Sequence, residues 1–282
     1  MAIKIITDST SDITQSQAKE MDITVLPLKV IFDGKEYRDG IDLTNQQFYQ
    51  KLAQSESLPT TSALGANDFL PHFERVQEAG DTAIVLLLCG KLSGTLQSAH
   101  IAKQQVGYPN IHIVDSYNTI LGLRLLVDRA VALRDTGAEA EEILAEMERL
   151  IPKIMLFAMV DTLEYLHKGG RLSKSSKIMG TLLKMKPLVG LVEGEVKVLG
   201  KARGNERALN HLIELIEGTK GIDLTYPVYF GYTGEEHACD SLMERVQQEY
   251  SVSQAVLSSV GSVVGTHAGP GACTVAFVQK ES

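Results

Sequence analysis

Short apolar runs alternate with amphipathic stretches over the first half of the chain. The apolar runs predict buried strands at residues 2–6, 23–30, 82–88 and 111–114. Apolar residues at helical spacing predict helices over residues 44–54, 67–79, 95–105, 121–135 and 138–150. This alternation is typical of βα units, so we expect an α/β domain with a mainly parallel sheet flanked by helices.

The pattern changes after Pro152. Further apolar runs predict strands at residues 154–160, 187–192, 196–201, 227–232 and 254–264. Glu193-Gly194-Glu195 joins two of these strands as a hairpin, and Asp33-Gly34 predicts another hairpin in the first half. Because hairpins join antiparallel strands, we expect an α+β domain with a mixed or antiparallel sheet over residues 152–282, after an α/β domain over residues 1–151.

Composition narrows the class of protein. The chain has 282 residues and a net charge of −8, which disfavours attraction to nucleic acid or to an anionic membrane. The three cysteines form no C-x-x-C pair, which indicates a reducing compartment and no zinc site. There is no signal-peptide pattern, and the longest apolar run, residues 83–89, is too short to span a membrane. We expect a soluble cytoplasmic protein.

The nucleotide and hydrolase signatures G-x-x-x-x-G-K-[ST], G-x-G-x-x-G, H-E-x-x-H and G-x-S-x-G are absent. Polar loops instead follow predicted strands, which is where open α/β sheets bind ligands. Residues 7–12 fit a helix cap and a ligand-facing loop equally well. The hydroxyl run Thr60-Thr61-Ser62 is by itself more typical of a solvated loop.

Lys91-Leu92-Ser93-Gly94-Thr95 lies between a predicted strand and a predicted helix. A helix N-terminus presents unpaired N–H groups, and Ser93 and Thr95 add hydroxyl donors beside them. Simple capping explains one hydroxyl, but it does not require Gly94 to open the approach. The segment therefore favours a binding site for a carboxylate or phosphate.

Two further side chains are candidates for ligand contact. His267 lies among small residues in Gly265-Thr266-His267-Ala268-Gly269-Pro270-Gly271, which favours function over packing. In the segment 163–173, Gly169 is predicted to end a helix in the left-handed conformation. Arg171 follows it and is suited to bidentate capture of an anion, with an ordinary salt bridge as the equal alternative.

The charge of the chain is unevenly distributed. Residues 168–207 contain ten basic and three acidic residues, a net +7 within a chain of −8. Such a segment is usually a solvated face, but it also offers one surface to a phosphorylated ligand or an acidic partner.

Taken together and in order, these loops resemble the DegV family, fatty-acid-binding proteins that serve as the lipid-carrying subunit of bacterial fatty acid kinase. The matching segments span nearly the whole chain: residues 7–12, 59–62, 91–99, 166–173, 184–187, 201–204 and 265–271. One departure is Ala63-Leu64-Gly65, where the family usually has Gln-Pro-Ser after the Thr-Ser pair.

The resemblance implies two domains with one long-chain fatty acid in a tunnel between them, and no metal or other cofactor. Its carboxylate would be held by Thr61 and Ser93, with His267 completing the polar network and Ser62, Gly94 and Thr95 alongside. Arg171 would stabilise the phosphoryl group of an acyl phosphate made by a separate kinase subunit. Arg203 and Lys201 would face that kinase, and an acyltransferase or membrane would be a transient partner in phospholipid synthesis.

The physics of acyl burial agrees with such a carrier. About fifteen methylenes at ~0.8 kcal/mol each offer on the order of 12 kcal/mol of gross transfer free energy, so a tunnel dominates affinity. The rival hypothesis is an esterase or acyl-phosphate hydrolase that uses Ser93 as nucleophile and His267 as base. Against it, no acidic residue is recognisable as an orienter of the histidine. A transcriptional or scaffold protein is disfavoured by charge and by the lack of a DNA-binding motif.

Overall fold

The computed structural model describes residues 1–173 and 185–281. The strands in that part of the chain are β1 Ile3–Asp8, β2 Ile23–Leu26, β3 Lys29–Phe32, β4 Lys35–Arg38, β5 Thr60–Ser62, β6 Thr82–Leu87, β7 Ile111–Asp115, β8 Ile154–Met159, β9 Lys186–Val192, β10 Glu195–Ala202, β11 Val228–Tyr232, β12 Ala255–Ser259 and β13 Cys273–Val278. The helices are α1 Gln15–Glu20, α2 Asn45–Gln54, α3 Ala66–Ala79, α4 Thr95–Val106, α5 Ile120–Asp135, α6 Ala140–Leu150, α7 Glu164–Lys168, α8 Asn205–Glu217, α9 Asp240–Tyr250 and α10 Ser262–Ala268.

The first half contains the expected parallel sheet, with strand order β2-β1-β6-β7 and every pair parallel. Strand β6 is buried along its whole length because helices cover both faces of the sheet. Phe69 of α3 and Val85 of β6 lie in one core, while Ile84 of β6 and Leu121 of α5 lie in the other. The prediction of an α/β domain with helices on a mainly parallel sheet is confirmed.

The single strand expected over residues 23–30 is wrong, because the structure divides it at Pro27. Proline has no N–H to donate to a sheet, so β2 ends before it and β3 begins a second sheet. That sheet is antiparallel, in the order β4-β3-β5, and the expected hairpin at Asp33-Gly34 joins β3 to β4. Its third strand, β5, is the Thr60–Ser62 run that by itself suggested a solvated loop.

The second half forms a six-stranded mixed sheet in the order β10-β9-β8-β13-β11-β12. Only the β11–β12 pair is parallel, so the prediction of a mixed sheet is confirmed. The central strand β13 is fully buried, although the sequence pattern did not predict it. All six strands come from residues 154–278, while the domain boundary near residue 151 stays a prediction.

The strand expected over residues 254–264 is wrong in its second half. Strand β12 ends at Ser259, and helix α10 begins at Ser262. Its first turn is held by carboxylates from the other half of the chain: Asp12 accepts from the Gly261 N–H at 2.8 Å, and Asp39 accepts from the Ser262 N–H at 3.0 Å. The apolar run alone could not indicate these contacts. His267 consequently lies on a helix rather than in a loop.

Within residues 1–173 and 185–281, no helix is both long enough and apolar enough to cross a membrane.

Candidate functional site

Two adjoining cavities lie between the two halves of the chain. The first, which we call the polar cavity, is lined by Thr61, Ser93, Arg171 and His267 at its polar wall. The second, the apolar cavity, is lined mainly by aliphatic side chains of the mixed sheet, among them Leu156, Ala158, Val189 and Ala272. The two cavities share the wall residues Thr119, Leu166, Val196, Val264 and Ala268. The two cavities therefore adjoin, with the polar groups on the wall of one and mainly aliphatic side chains on the wall of the other.

Thr61 and His267 both lie on the polar wall and pair with each other. Strand β5 carries Thr61 and helix α10 carries His267, and the Thr61 hydroxyl lies 2.9 Å from the imidazole Nε2. The pairing joins residues 206 positions apart in sequence, so it depends on the docking of α10 against the N-terminal half.

The imidazole of His267 is neutral at pH 7. Burial, and to a smaller extent the nearby positive charge of Arg171, lower the pKa of His267 to about 4. The ring therefore acts as a hydrogen-bonding group and not as a cation.

We expect the imidazole of His267 in the ligand-free protein to titrate near pH 4 instead of near the ordinary value of about 6.5. A folded-state pKa below the unfolded one means that the neutral ring's contribution is complete above pH 6.5 and is lost as the pH falls toward 4. The difference between the two pKa values corresponds to roughly 3 kcal/mol of unfolding free energy. Urea unfolding of wild type and His267→Gln at pH 7 and pH 4 measures this effect. Between pH 7 and pH 4, the free energy of unfolding of wild type should fall by this amount relative to that of the variant. An NMR titration midpoint of 6 or above would contradict the expectation.

Ser93 and its neighbours open helix α4. The Ser93 hydroxyl lies 3.0 Å from the Thr95 hydroxyl and accepts from the Thr95 N–H at 3.3 Å. The Thr95 side chain is fully buried and also accepts from the Leu64 N–H at 3.3 Å. Of the residues expected to hold or flank the carboxylate, Thr61 and Ser93 line the polar cavity, whereas Ser62, Gly94 and Thr95 do not. Thr95 therefore contacts Ser93 without lining the cavity itself.

Arg171 enters the same cavity from the end of α7. Its Nε donates to the carbonyl of Leu92 at 3.2 Å, and its Nη1 donates to the carbonyl of Gly169 at 2.8 Å. Among the described residues it makes no salt bridge, which was the alternative role for this side chain. It is the only fixed positive charge among the described residues that line the two cavities.

The expectation that Gly169 adopts the left-handed conformation is wrong. Gly169 has φ −74°, and the following Gly170 takes the left-handed value of φ +69°. Gly169 is nevertheless required to be small, because a Cβ there would lie 2.2 Å from Nδ1 of His267. This contact is a feature of the site that the sequence did not reveal, and the Gly-Gly pair is the only sequence signal for it.

The aspartates of residues 7–12 are structural. Asp8 accepts from the Leu88 N–H at 2.8 Å, and burial raises the pKa of Asp8 to about 6. Asp12 accepts from the first turn of α10, as described above. Only Thr10 of this segment lines the polar cavity. Both aspartates therefore hold backbone segments near the site, and they do not line the polar cavity.

The basic segment 168–207 is partly neutralised. Lys168 pairs with Glu164, and Lys186 pairs with Asp161. Lys174, Lys177 and Lys184 lie outside the described residues. The two residues expected to face a partner, Lys201 and Arg203, are exposed at the end of β10 and in the turn after it.

Ser93 and His267 are not hydrogen-bonded to each other as the esterase hypothesis requires. His267 Nε2 is engaged by Thr61, and the Ser93 hydroxyl is engaged by Thr95. The Nδ1 atom of His267 is buried without a hydrogen-bond partner among the described residues, so no carboxylate orients the ring as in a catalytic triad.

Comparison with known proteins identifies the family. The sequence model of the DegV family, described as one of uncharacterised proteins, matches residues 2–280. The chain belongs to the DegV family. A DegV domain-containing protein of Caldanaerobacter subterraneus is 37% identical over 279 residues, covering 99% of both chains.

Two solved structures share the whole fold. A DegV family protein from Thermus thermophilus, described by its fatty acid binding, is 35% identical with a TM-score of 0.89, covering 99% of this chain and 100% of that one. A fatty acid (stearic acid)-binding protein from Eubacterium ventriosum is 27% identical with a TM-score of 0.90, covering 99% of both chains. These similarities confirm the predicted family and the two-domain α/β architecture.

Proposed function

We propose that this DegV protein binds one long-chain fatty acid, with the carboxylate in the polar cavity and the acyl chain in the apolar cavity. The observation that carries the proposal is that the two cavities share five wall residues: hydroxyl and guanidinium groups line the polar cavity, and mainly aliphatic side chains line the apolar cavity. The fatty acid binding described for the T. thermophilus and E. ventriosum relatives supports it.

The electrostatics of the site suit a single negative charge. A buried carboxylate without partners would be strongly unfavourable, and it requires donors together with a compensating charge. Thr61 and Ser93 supply hydroxyl groups, and Arg171 supplies the charge because His267 is neutral. Two of the Arg171 donors are held by backbone carbonyls, so its guanidinium is fixed before any ligand arrives.

The further role that we propose is that of a carrier in the cytoplasm. The protein presents the carboxylate to a separate ATP-dependent kinase subunit and holds the acyl phosphate for phospholipid synthesis, with Arg171 stabilising the phosphoryl group. An acyltransferase or a membrane then receives the acyl group transiently. The exposure of Lys201 and Arg203 supports their proposed role in contacting the kinase.

Mass spectrometry after organic extraction tests both levels of this proposal. We expect natively purified protein to release about one fatty acid per chain, because each buried methylene contributes ~0.8 kcal/mol. Adding ATP and a purified bacterial fatty acid kinase subunit to the loaded protein should then convert the acid to acyl phosphate. Protein that is lipid-free and takes up no added palmitate would overturn the binding proposal. Binding without phosphorylation would overturn only the carrier role.

A further inference from the structure

Six hydroxyl side chains line the two cavities, and Thr119 differs from the other five in two respects. The other five each have a hydrogen-bond partner in the protein: Thr10, Thr61, Ser93, Thr233 and Thr274. Thr119 is only 7% exposed, and its hydroxyl has no hydrogen-bond partner among the described residues. Thr119 is also the only one of the six that lines both cavities.

The hydroxyl of Thr119 does not cap the helix that begins beside it. Thr119 directly precedes α5, where a threonine usually accepts a hydrogen bond from the first turn, yet it makes no such bond. The next residue, Ile120, has φ +41°, which is a strained value for a β-branched side chain. Strain of this kind is concentrated at binding sites. Helix capping therefore does not explain the threonine at position 119.

The place of Thr119 determines which part of a ligand lies beside it. A fatty acid that occupies both cavities, with its carboxylate near Thr61 and Ser93, passes from one cavity to the other along the wall that they share. The other residues of that shared wall have aliphatic side chains: Leu166, Val196, Val264 and Ala268. The only polar side chain on the shared wall therefore lies beside an internal carbon of the acyl chain and not beside the head group.

A chain of methylenes leaves the Thr119 hydroxyl unpaired. This hydroxyl has one hydrogen to donate and two lone pairs that accept, and a methylene group matches neither. A buried polar group without a partner is unfavourable by the full desolvation of that group. A hydroxyl group on the passing carbon removes this penalty, because it can accept the Thr119 hydrogen or donate to the Thr119 oxygen.

The two other threonines of the apolar cavity do not create the same preference. Thr233 accepts from the Ala272 N–H at 2.7 Å, and Thr274 donates to the Phe157 carbonyl at 2.8 Å. Both keep these bonds when a methylene chain lies beside them. A ligand oxygen near them relieves no unpaired group, so Thr119 is the residue that distinguishes an oxygenated chain from a plain one.

We propose that Thr119 binds an oxygen substituent on an internal carbon of the acyl chain, so that the ligands of this protein include long-chain hydroxy fatty acids. The proposal rests on the proposed fatty acid binding and names a ligand class within it. The carboxylate contacts stay those of an unsubstituted acid, and Thr119 adds a contact that only the substituted chain can make.

Positional isomers of hydroxypalmitate test the proposal on the wild-type protein. The series is 3-, 6-, 9-, 12- and 16-hydroxypalmitate, compared with palmitate by isothermal titration of delipidated protein. We expect one internal isomer to bind at least as tightly as palmitate, because its hydroxyl pairs with Thr119. Isomers with the hydroxyl far from that carbon, 16-hydroxypalmitate among them, should bind about tenfold more weakly than palmitate, since one unpaired buried hydroxyl corresponds to about that factor.

Thr119→Val keeps the shape of the side chain and removes its hydroxyl. The affinity for the favoured isomer should fall about tenfold, because the ligand hydroxyl loses its partner. The affinity for palmitate should rise about threefold, because no protein hydroxyl is then left unpaired. The two ligands respond in opposite directions, which a general loss of structure would not produce. Thr274→Val is the matched control: it removes a hydroxyl of the apolar cavity that is paired with Phe157, and we expect the favoured isomer of wild type.

Wild type by itself can overturn the proposal, whether or not the variants fold. It is overturned if every hydroxypalmitate binds about tenfold or more weakly than palmitate. Equal weakening of palmitate and of all isomers by Thr119→Val would also contradict it, because Thr119 would then contact the carboxylate or only support the fold. A favoured isomer that Thr274→Val abolishes and Thr119→Val retains would assign the contact to Thr274 instead. Absence of palmitate binding by wild type would overturn the proposed function.

Discussion

Ala158→Phe is expected to weaken palmitate binding by about a thousandfold while leaving decanoate binding nearly unchanged. Ala158 lies on β8 and lines the apolar cavity but not the polar one. A phenyl ring there would occupy the space of the distal acyl chain. Excluding about six methylenes at ~0.8 kcal/mol each removes on the order of 4–5 kcal/mol of transfer free energy. The residues proposed to hold the carboxylate line the other cavity, so they should remain available to a short chain.

Isothermal titration of the delipidated variant against decanoate, laurate, myristate and palmitate measures this effect as a change in the dependence of affinity on chain length. Ala53→Phe, at an exposed position of α2, adds the same ring away from the cavities and serves as the control. Unfolding in urea should be recorded for both variants, because overpacking lowers stability by about 1–3 kcal/mol. Unchanged palmitate affinity in a folded Ala158→Phe protein would show that the acyl chain lies elsewhere.

Arg171→Met is expected to weaken palmitate binding at pH 8 by about a hundredfold. Met keeps much of the aliphatic bulk but removes the only fixed positive charge among the described residues lining the cavities. Leaving a buried carboxylate without its charged partner typically weakens the binding free energy by about 2–5 kcal/mol. Removing the charge should also raise the pKa of His267, since Arg171 is the second cause of its low value after burial.

Titration calorimetry with palmitate and NMR titration of His267 provide two separate readouts of this substitution. The matched control is Lys168→Met, which removes a neighbouring positive charge that is exposed and paired with Glu164. We expect wild-type affinity and a wild-type His267 pKa for that control. Loss of palmitate affinity without any rise in the His267 pKa would indicate that Arg171 acts through structure and not through its charge.

Local sequence patterns predicted many of the elements and the types of the two larger sheets. The apolar run at 82–88 and the turn signal Asp33-Gly34 both correspond to observed features, because β6 is buried on both faces and the turn residues adopt positive φ. Local patterns failed where a distant contact decided the conformation. Residues 262–268 form a helix whose start is held by Asp12 and Asp39, which accept from the N–H groups of Gly261 and Ser262 more than two hundred positions away.

The candidate site shows the same division. The sequence singled out Thr61, Ser93, Arg171 and His267, which the structure places on one cavity wall. It could not assign Thr95 to a supporting position, since a hydroxyl residue after Gly94 is equally compatible with an exposed or a buried side chain. It also could not indicate that Gly169 accommodates the His267 ring, because that contact joins residues almost one hundred positions apart.

The sequence by itself therefore determined the family, the types of the two larger sheets and the chemical groups available for binding an anion. Hydrophobic periodicity and turn residues depend on a few neighbouring positions, so they can be recognised from the sequence alone. The tertiary structure alone decided which polar groups meet, that His267 is largely buried and neutral, and which hydroxyl side chains line the cavity. Burial, charge proximity and hydrogen-bond direction depend on distances between segments far apart in sequence, and only the packing of α10 and α7 against the N-terminal half sets those distances.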